Sequence, residues 1–214
     1  ESNFLSGLRQ ICDRYGALLI FDEVITGFRL QLDGAIGYFG VTPDLVTYGK
    51  IIGGGMPVGA YGGRKEIMQL VAPLGSVYQA GTLSGNPVAM CAGITQLRYL
   101  QAHPEVYQQI RGLSDRFRNG LKEIIQRYHA PCTVNGMESL SCLYFTSKPV
   151  TNYASAKQAD TQQFRQYFHY MLDAGSYFGP SQFEAIFVSN AHTTQEIDKT
   201  LSDAEAYFAA QEKK

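Results

Sequence analysis

Two short apolar runs, each ending in a chemically active residue, constrain this chain more than anything else in it. Gly16-Ala-Leu-Leu-Ile-Phe21 ends in Asp22-Glu23, and Asp44-Leu-Val-Thr-Tyr48 ends in Gly49-Lys50. The glycine-rich stretch Ile51-Ile-Gly-Gly-Gly-Met-Pro57 follows at once and reads as flexible. A continuous apolar run bounded by turn signals reads as a strand covered on both faces, as in a parallel sheet layered with helices. Leu18–Phe21 is such a run, and Leu45–Tyr48 is the next strand. In open α/β sheets ligands collect at the carboxyl ends of the strands. Asp22 and Lys50 therefore stand where a bound group would be met.

The rest of the chain alternates in the same way. Residues 4–15 have a helical apolar period, with Gly16 as the stop. Residues 35–40 read as a loop rich in glycine and aromatics, and 58–62 as a third strand closing on Gly62-Gly63. A short helix is expected over 64–71 and a loop over 72–86. Asn86-Pro87 is an N-cap followed by proline at the first helical position, predicting a helix to about Leu100. Its small residues Ala89, Ala92 and Gly93 permit close packing. A helix from Pro104 to about Tyr128 follows. Beyond Pro131 the texture becomes α+β. Strands are expected at 133–134, 140–146 and 185–188, and helices at 155–174 and from Thr193 to about Ala210. The organisation predicted is an α/β portion over 1–103, a connecting helix over 104–129 and a small α+β domain over 130–214.

Composition narrows the function classes. A chain of 214 residues that is 45% hydrophobic and 17% charged can bury a core. Lys and Arg number 18 against 19 Asp and Glu, with no basic block, so no nucleic-acid footprint is expected. No apolar run approaches the ~20 residues of a membrane span, so no membrane partner is expected either. Cys12, Cys91, Cys132 and Cys142 form no CxxC pair and no histidine stands at a zinc-finger offset, so no metal site is expected. Reduced thiols in a cytoplasmic compartment are the simplest reading, with Cys12 and Cys91 on apolar helix faces in the core. The opening Glu1-Ser-Asn-Phe, with no initiator methionine and no signal-type start, reads as a piece of a longer protein.

The acid and the lysine suit one cofactor in particular. Pyridoxal phosphate needs a lysine to bind its aldehyde carbon, a carboxylate to keep its ring nitrogen protonated, and a phosphate cradle. Lys50 and Asp22 fit the first two needs. The lysine must be deprotonated part of the time, which an apolar wall or a nearby cation favours. The glycines at 53–55 let backbone pass close to the site. Gly81-Thr82-Leu83-Ser84-Gly85-Asn86, just before a helix, offers N–H groups and a hydroxyl to an anion such as phosphate. Each motif also has an ordinary reading: a solvated lysine, a strand-end turn or helix cap at Asp22-Glu23, and a glycine-rich loop with an N-cap. The combination carries the inference.

Four stretches resemble the class III, fold-type I pyridoxal-phosphate aminotransferases. They are Leu19-Ile-Phe-Asp-Glu-Val-Ile-Thr-Gly-Phe-Arg29, Gly49-Lys-Ile-Ile-Gly-Gly-Gly-Met-Pro-Val-Gly-Ala60, Tyr78-Gln-Ala-Gly-Thr-Leu-Ser-Gly-Asn-Pro87 and Ser176-Tyr-Phe-Gly-Pro-Ser-Gln-Phe-Glu-Ala185. Within that family the second, third and fourth look like the branch that rearranges glutamate-1-semialdehyde into 5-aminolevulinate. The resemblance implies part of a fold-type I large domain, a mostly parallel sheet with helices, followed by a small α+β domain. It implies pyridoxal 5'-phosphate and its pyridoxamine form as cofactor, and a small-molecule substrate within which an amino group moves. Lys50 would carry the cofactor and transfer protons, Asp22 would face the ring nitrogen and Val24 would pack on the ring. Gly81 and Thr82 would reach the phosphate of the neighbouring subunit's cofactor, making the active unit a homodimer. Glu184 would approach the substrate. The expected location is cytoplasmic, or a plastid stroma in a plant or alga. A full enzyme of this kind has about twice this length, so turnover by these 214 residues alone is not expected. An ω-aminotransferase of the same fold and a non-catalytic relative remain alternatives.

Overall fold

A computed structural model describes residues 3–212. The chain divides into two compact units, one ending at Tyr107 and one starting at Gln108. In the first unit, helix α1 (Phe4–Tyr15) stops at Gly16, whose φ of 65° a glycine takes without strain. Strand β1 (Ile20–Asp22) pairs in parallel with β2 (Leu45–Tyr48), joined through helix α2 (Gly34–Phe39). A 3-10 turn (Lys50–Gly53) follows β2, and β3 (Ala60–Gly63) returns antiparallel to it. Helix α3 (Lys65–Met68) and the long helix α4 (Pro87–Ala102) complete the unit, and α5 (Glu105–Arg127) begins in it. Sheet order is β1-β2-β3.

One face of this sheet is dry and the other is open. Leu19, Phe21, Val41 and Val46 are buried, with Leu5, Leu8 and Cys12 of α1 packed on them. Leu18 and Ile20 are about half exposed on the opposite side. The first strand therefore alternates, where its unbroken apolar sequence predicts burial on both faces. Only one helical layer covers it among the described residues. Asp44 ties the layer together. Its carboxylate accepts the Leu19 N–H at 2.7 Å, Arg9 at 2.8 Å and Arg64 at 2.9 Å. That links α1, the entry to β1 and the exit from β3 through one side chain.

The second unit packs β4 (Thr133–Met137), β5 (Leu140–Tyr144) and β6 (Ile186–Phe187), all antiparallel, against helices. These are α5, α7 (Thr161–Asp173) and α8 (Thr194–Gln211), with the short α6 (Tyr153–Ala156) at the rim. Its core joins Leu113, Phe117, Leu121 and Ile124 of α5 to Leu143, Tyr167, Met171, Tyr207 and Phe208. Most of the helix expected as a connector thus lines a core.

Three further expectations change. Residues 34–39 are helical rather than a loop, for a reason that lies in Glu23, described below. The helix expected over 155–174 is two, because Asp160 accepts the Gln162 and Gln163 N–H groups at 2.8 and 3.0 Å and starts α7 afresh. Cys91 is exposed on α4 and Cys12 is half-buried, so the first does not belong to the core. Among the described residues no helix is long and apolar enough to cross a membrane.

Candidate functional site

The site grows from the ends of β1 and β2. Parallel pairing sets Asp22 beside Thr47, so both side chains rise from the open face of the sheet. Asp22 Oδ1 accepts the Val24 N–H at 3.0 Å and the Thr47 hydroxyl at 3.3 Å. The chain then turns so that Val24 leans over Gly49. A Cβ on Gly49 would sit 3.3 Å from Val24 Cγ1. Lys50 comes next, exposed, opening the 3-10 turn with φ of 51°. A non-glycine residue in this left-handed region is uncommon and marks a constrained position. Asp22, Val24 and Lys50, separated in sequence, are thus gathered at one sheet end. Among the described residues Lys50 Nζ has no hydrogen bond or ion pair.

Two devices hold the gathering in place. Glu23, buried at 1% exposure, turns away from Asp22. Its carboxylate accepts Thr26 Oγ1 at 2.6 Å and the Ala35 and Ile36 N–H groups, both at 2.9 Å. It caps α2 from eleven residues upstream and fixes the loop that carries Val24. Gly27 and Phe28 seal that loop. A Cβ on Gly27 would lie 2.7 Å from Tyr48 Cδ1, and the Tyr107 hydroxyl donates to the Phe28 carbonyl at 3.0 Å. Burial pushes the Tyr107 phenol up to about 12, so it stays a donor at ordinary pH. The second device is α4. A Cβ on Gly54 would stand 2.6 Å from the Ala92 carbonyl, and one on Gly93 would overlap the Ile52 carbonyl. Helix and turn meet backbone to backbone, and the glycines at 54 and 93 permit it.

Gly81 and Thr82 lie on the exposed loop that leads into α4. The Ser84 N–H donates to the Gly81 carbonyl at 2.9 Å, and Asn86 caps the helix by accepting the Val88 and Ala89 N–H groups at 3.1 and 3.2 Å. Among the described residues neither Gly81 nor Thr82 bonds to Asp22 or Lys50. Glu184 belongs to the second unit, exposed, with its Cβ against Gly179 and its N–H donated to the Ser181 carbonyl at 3.0 Å. Reasoning from sequence missed Thr47 and the role of Glu23. The Thr47 signal was present, since a polar residue in an apolar strand beside an acid invites a cross-strand bond.

The residues present suit a flat cationic ring. A carboxylate fixed by one oxygen, a branched apolar side chain over a glycine and an exposed primary amine all stand at the carboxyl ends of β1 and β2. The amine can form a covalent bond to an aldehyde and can carry a proton. The carboxylate can hold a protonated ring nitrogen.

Known proteins resemble this chain over nearly its whole length. The family model described as Aminotransferase class-III matches residues 1–204. Glutamate-1-semialdehyde 2,1-aminomutase 2 of Lachnoclostridium phytofermentans is 59% identical over 99% of this chain and 50% of its own. The glutamate-1-semialdehyde 2,1-aminomutase of Ruminiclostridium cellulolyticum is 58% identical over 96% of this chain and 47% of its own. The chain spans about half the length of the curated relatives it matches. Among solved structures, an omega-transaminase from Sphaerobacter thermophilus superposes with a TM-score of 0.86 at 31% identity, covering 98% of this chain and 48% of that one. A transaminase solved with PLP bound gives 0.83 at 29%, with the same coverage. A glutamate-1-semialdehyde aminomutase from Pseudomonas aeruginosa gives 0.86 at 21% over 98% and 48%, a likeness of fold. The fold is the α/β fold-type I arrangement in part, and the chain belongs to the class-III aminotransferase family.

Proposed function

We propose that the protein containing this chain is a pyridoxal-phosphate-dependent aminomutase that converts glutamate-1-semialdehyde to 5-aminolevulinate, an isomerase feeding tetrapyrrole synthesis. The observation that carries this reading is the identity of 59% and 58% to proteins named for that reaction, sustained along nearly the whole chain. The transaminases of known structure stand at 31% and 29% over the same residues. When bound, pyridoxal phosphate supplies the electron sink for proton loss beside an amino group. With the cofactor bound, Lys50 Nζ would hold it by its aldehyde carbon and, once released, would give or take the proton of the substrate carbon that bears the nitrogen. Asp22 keeps the ring nitrogen protonated, and Val24 covers one face of the ring. Gly81 and Thr82 donate to the phosphate of the cofactor held by the partner subunit, which makes the active unit a homodimer. Glu184 stands toward the substrate. The named relatives are bacterial, which favours the cytoplasm as the compartment.

The test is to supply the full-length protein with glutamate-1-semialdehyde and no other amine or carbonyl compound. Formation of 5-aminolevulinate is expected. A second reading, an ω-aminotransferase exchanging amino groups between two substrates, draws on the fit to the Sphaerobacter thermophilus omega-transaminase. It replaces the first if product appears only when a separate amino donor or acceptor is added.

A further inference from the structure

Asp22 is anchored by one oxygen only. The Val24 N–H and the Thr47 hydroxyl both donate to Oδ1, at 3.0 and 3.3 Å, and among the described residues Oδ2 takes no bond. The two donors come from different directions. Val24 lies two residues on in the same chain, and Thr47 stands directly across the parallel pair in the register Asp22↔Thr47. An exposed carboxylate with a single donor can still rotate about its Cα–Cβ and Cβ–Cγ bonds. A second donor from the neighbouring strand restricts that freedom and leaves Oδ2 without a hydrogen bond among the described residues. We propose that Thr47 is a positioning residue, whose hydroxyl fixes Asp22 so that Oδ2 is the oxygen offered to the ring nitrogen of the cofactor. This rests on the cofactor reading above.

Nearby features support a role for the hydroxyl itself rather than for packing. Thr47 lies on the open face, opposite the side on which Phe21 and Val46 are buried. Tyr61 pairs with it on β3 and is exposed, so the row Asp22, Thr47, Tyr61 faces outward across all three strands. Among the described residues Thr47 is half-buried and lies outside the apolar cluster.

The experiment uses the full-length protein and three variants: Thr47→Val, which keeps the shape and loses the hydroxyl, Thr47→Ser, which keeps the hydroxyl, and Asp22→Asn. Two readouts are taken besides activity. One is the dissociation constant of pyridoxal phosphate. The other is the ¹⁵N chemical shift of cofactor labelled at the ring nitrogen, followed against pH to report its proton. Thr47→Val is expected to weaken binding by about three- to tenfold, the scale of one ordinary intramolecular hydrogen bond. It should also lower the pH at which the ring nitrogen loses its proton, with Thr47→Ser returning both toward wild type. A wild-type ring-nitrogen titration and dissociation constant in Thr47→Val would overturn the proposal, as would failure of Thr47→Ser to restore a changed one. If Asp22→Asn alters the ring nitrogen while Thr47→Val does not, the positioning role falls and the cofactor reading stands. If wild-type protein binds no pyridoxal phosphate, both fall.

Discussion

Lys50 occupies a backbone conformation that its side chain does not favour. With φ of 51° it sits in the left-handed region, held there by extended Gly49 before it and by the turn packed on α4 after it. An L-residue there carries about 1 kcal/mol of strain that glycine avoids. In cofactor-free full-length protein, Lys50→Gly is therefore expected to be more stable than Lys50→Ala by about that amount in denaturant unfolding, although both abolish turnover. Equal stabilities would mean that the turn relaxes and stores nothing. Glu23 makes the opposite point, since its value is structural. Three donors converge on its two oxygens at 2.6 to 2.9 Å in a site that is 1% exposed. Glu23→Gln places an NH₂ among N–H donors, so a loss of about 2 kcal/mol is expected, the cost of leaving a buried partner unmade. Calorimetry on the variant measures it, and an unchanged melting temperature would remove Glu23 from the support of the site.

Between elements, the Asp44 node sets an acid limit. The Leu19 N–H first, and then the Arg9 and Arg64 guanidinium groups, hold its carboxyl well below the usual carboxylate range. A carboxyl whose pKa is depressed on folding adds stability above its unfolded value, near 3.8, and that stability is lost as pH falls toward the folded value. Melting temperature followed from neutral pH downward should hold steady, then fall below about pH 4. Asp44→Asn should start lower and lose less over the same interval. A parallel fall in both proteins would place the acid sensitivity elsewhere. The same scale shows what was legible in the sequence. α4 was readable because its cap, Asn86-Pro87, adjoins it, and α1 because Gly16 ends it. α2 was not, because the carboxylate that satisfies its first N–H groups belongs to Glu23, far outside any local window. The break at Asp160 was written in the sequence as an ordinary N-cap, but the apolar period continues across it and conceals it. The half-exposure of Leu18 and Ile20 is that of this chain alone, which spans about half the length of its relatives.

Across the molecule, the proposed cofactor residues fall in one unit and the proposed substrate residue in the other. The first holds Asp22, Val24, Lys50, Gly81 and Thr82, and the second holds Glu184 on a core built around Phe117, Leu121, Tyr167 and Met171. Asp22 and Lys50 were legible because strand ends are marked by the change from apolar to functional residues. The support from Thr47 was not, because strand register is a property of the sheet rather than of either strand. The most direct test of this reading is to load full-length protein with pyridoxal phosphate, reduce it with borohydride, digest it and locate the modified lysine by mass spectrometry. A single peptide carrying the cofactor on Lys50 is the expected result. Cofactor fixed on another lysine, such as Lys65, or on none, would contradict it.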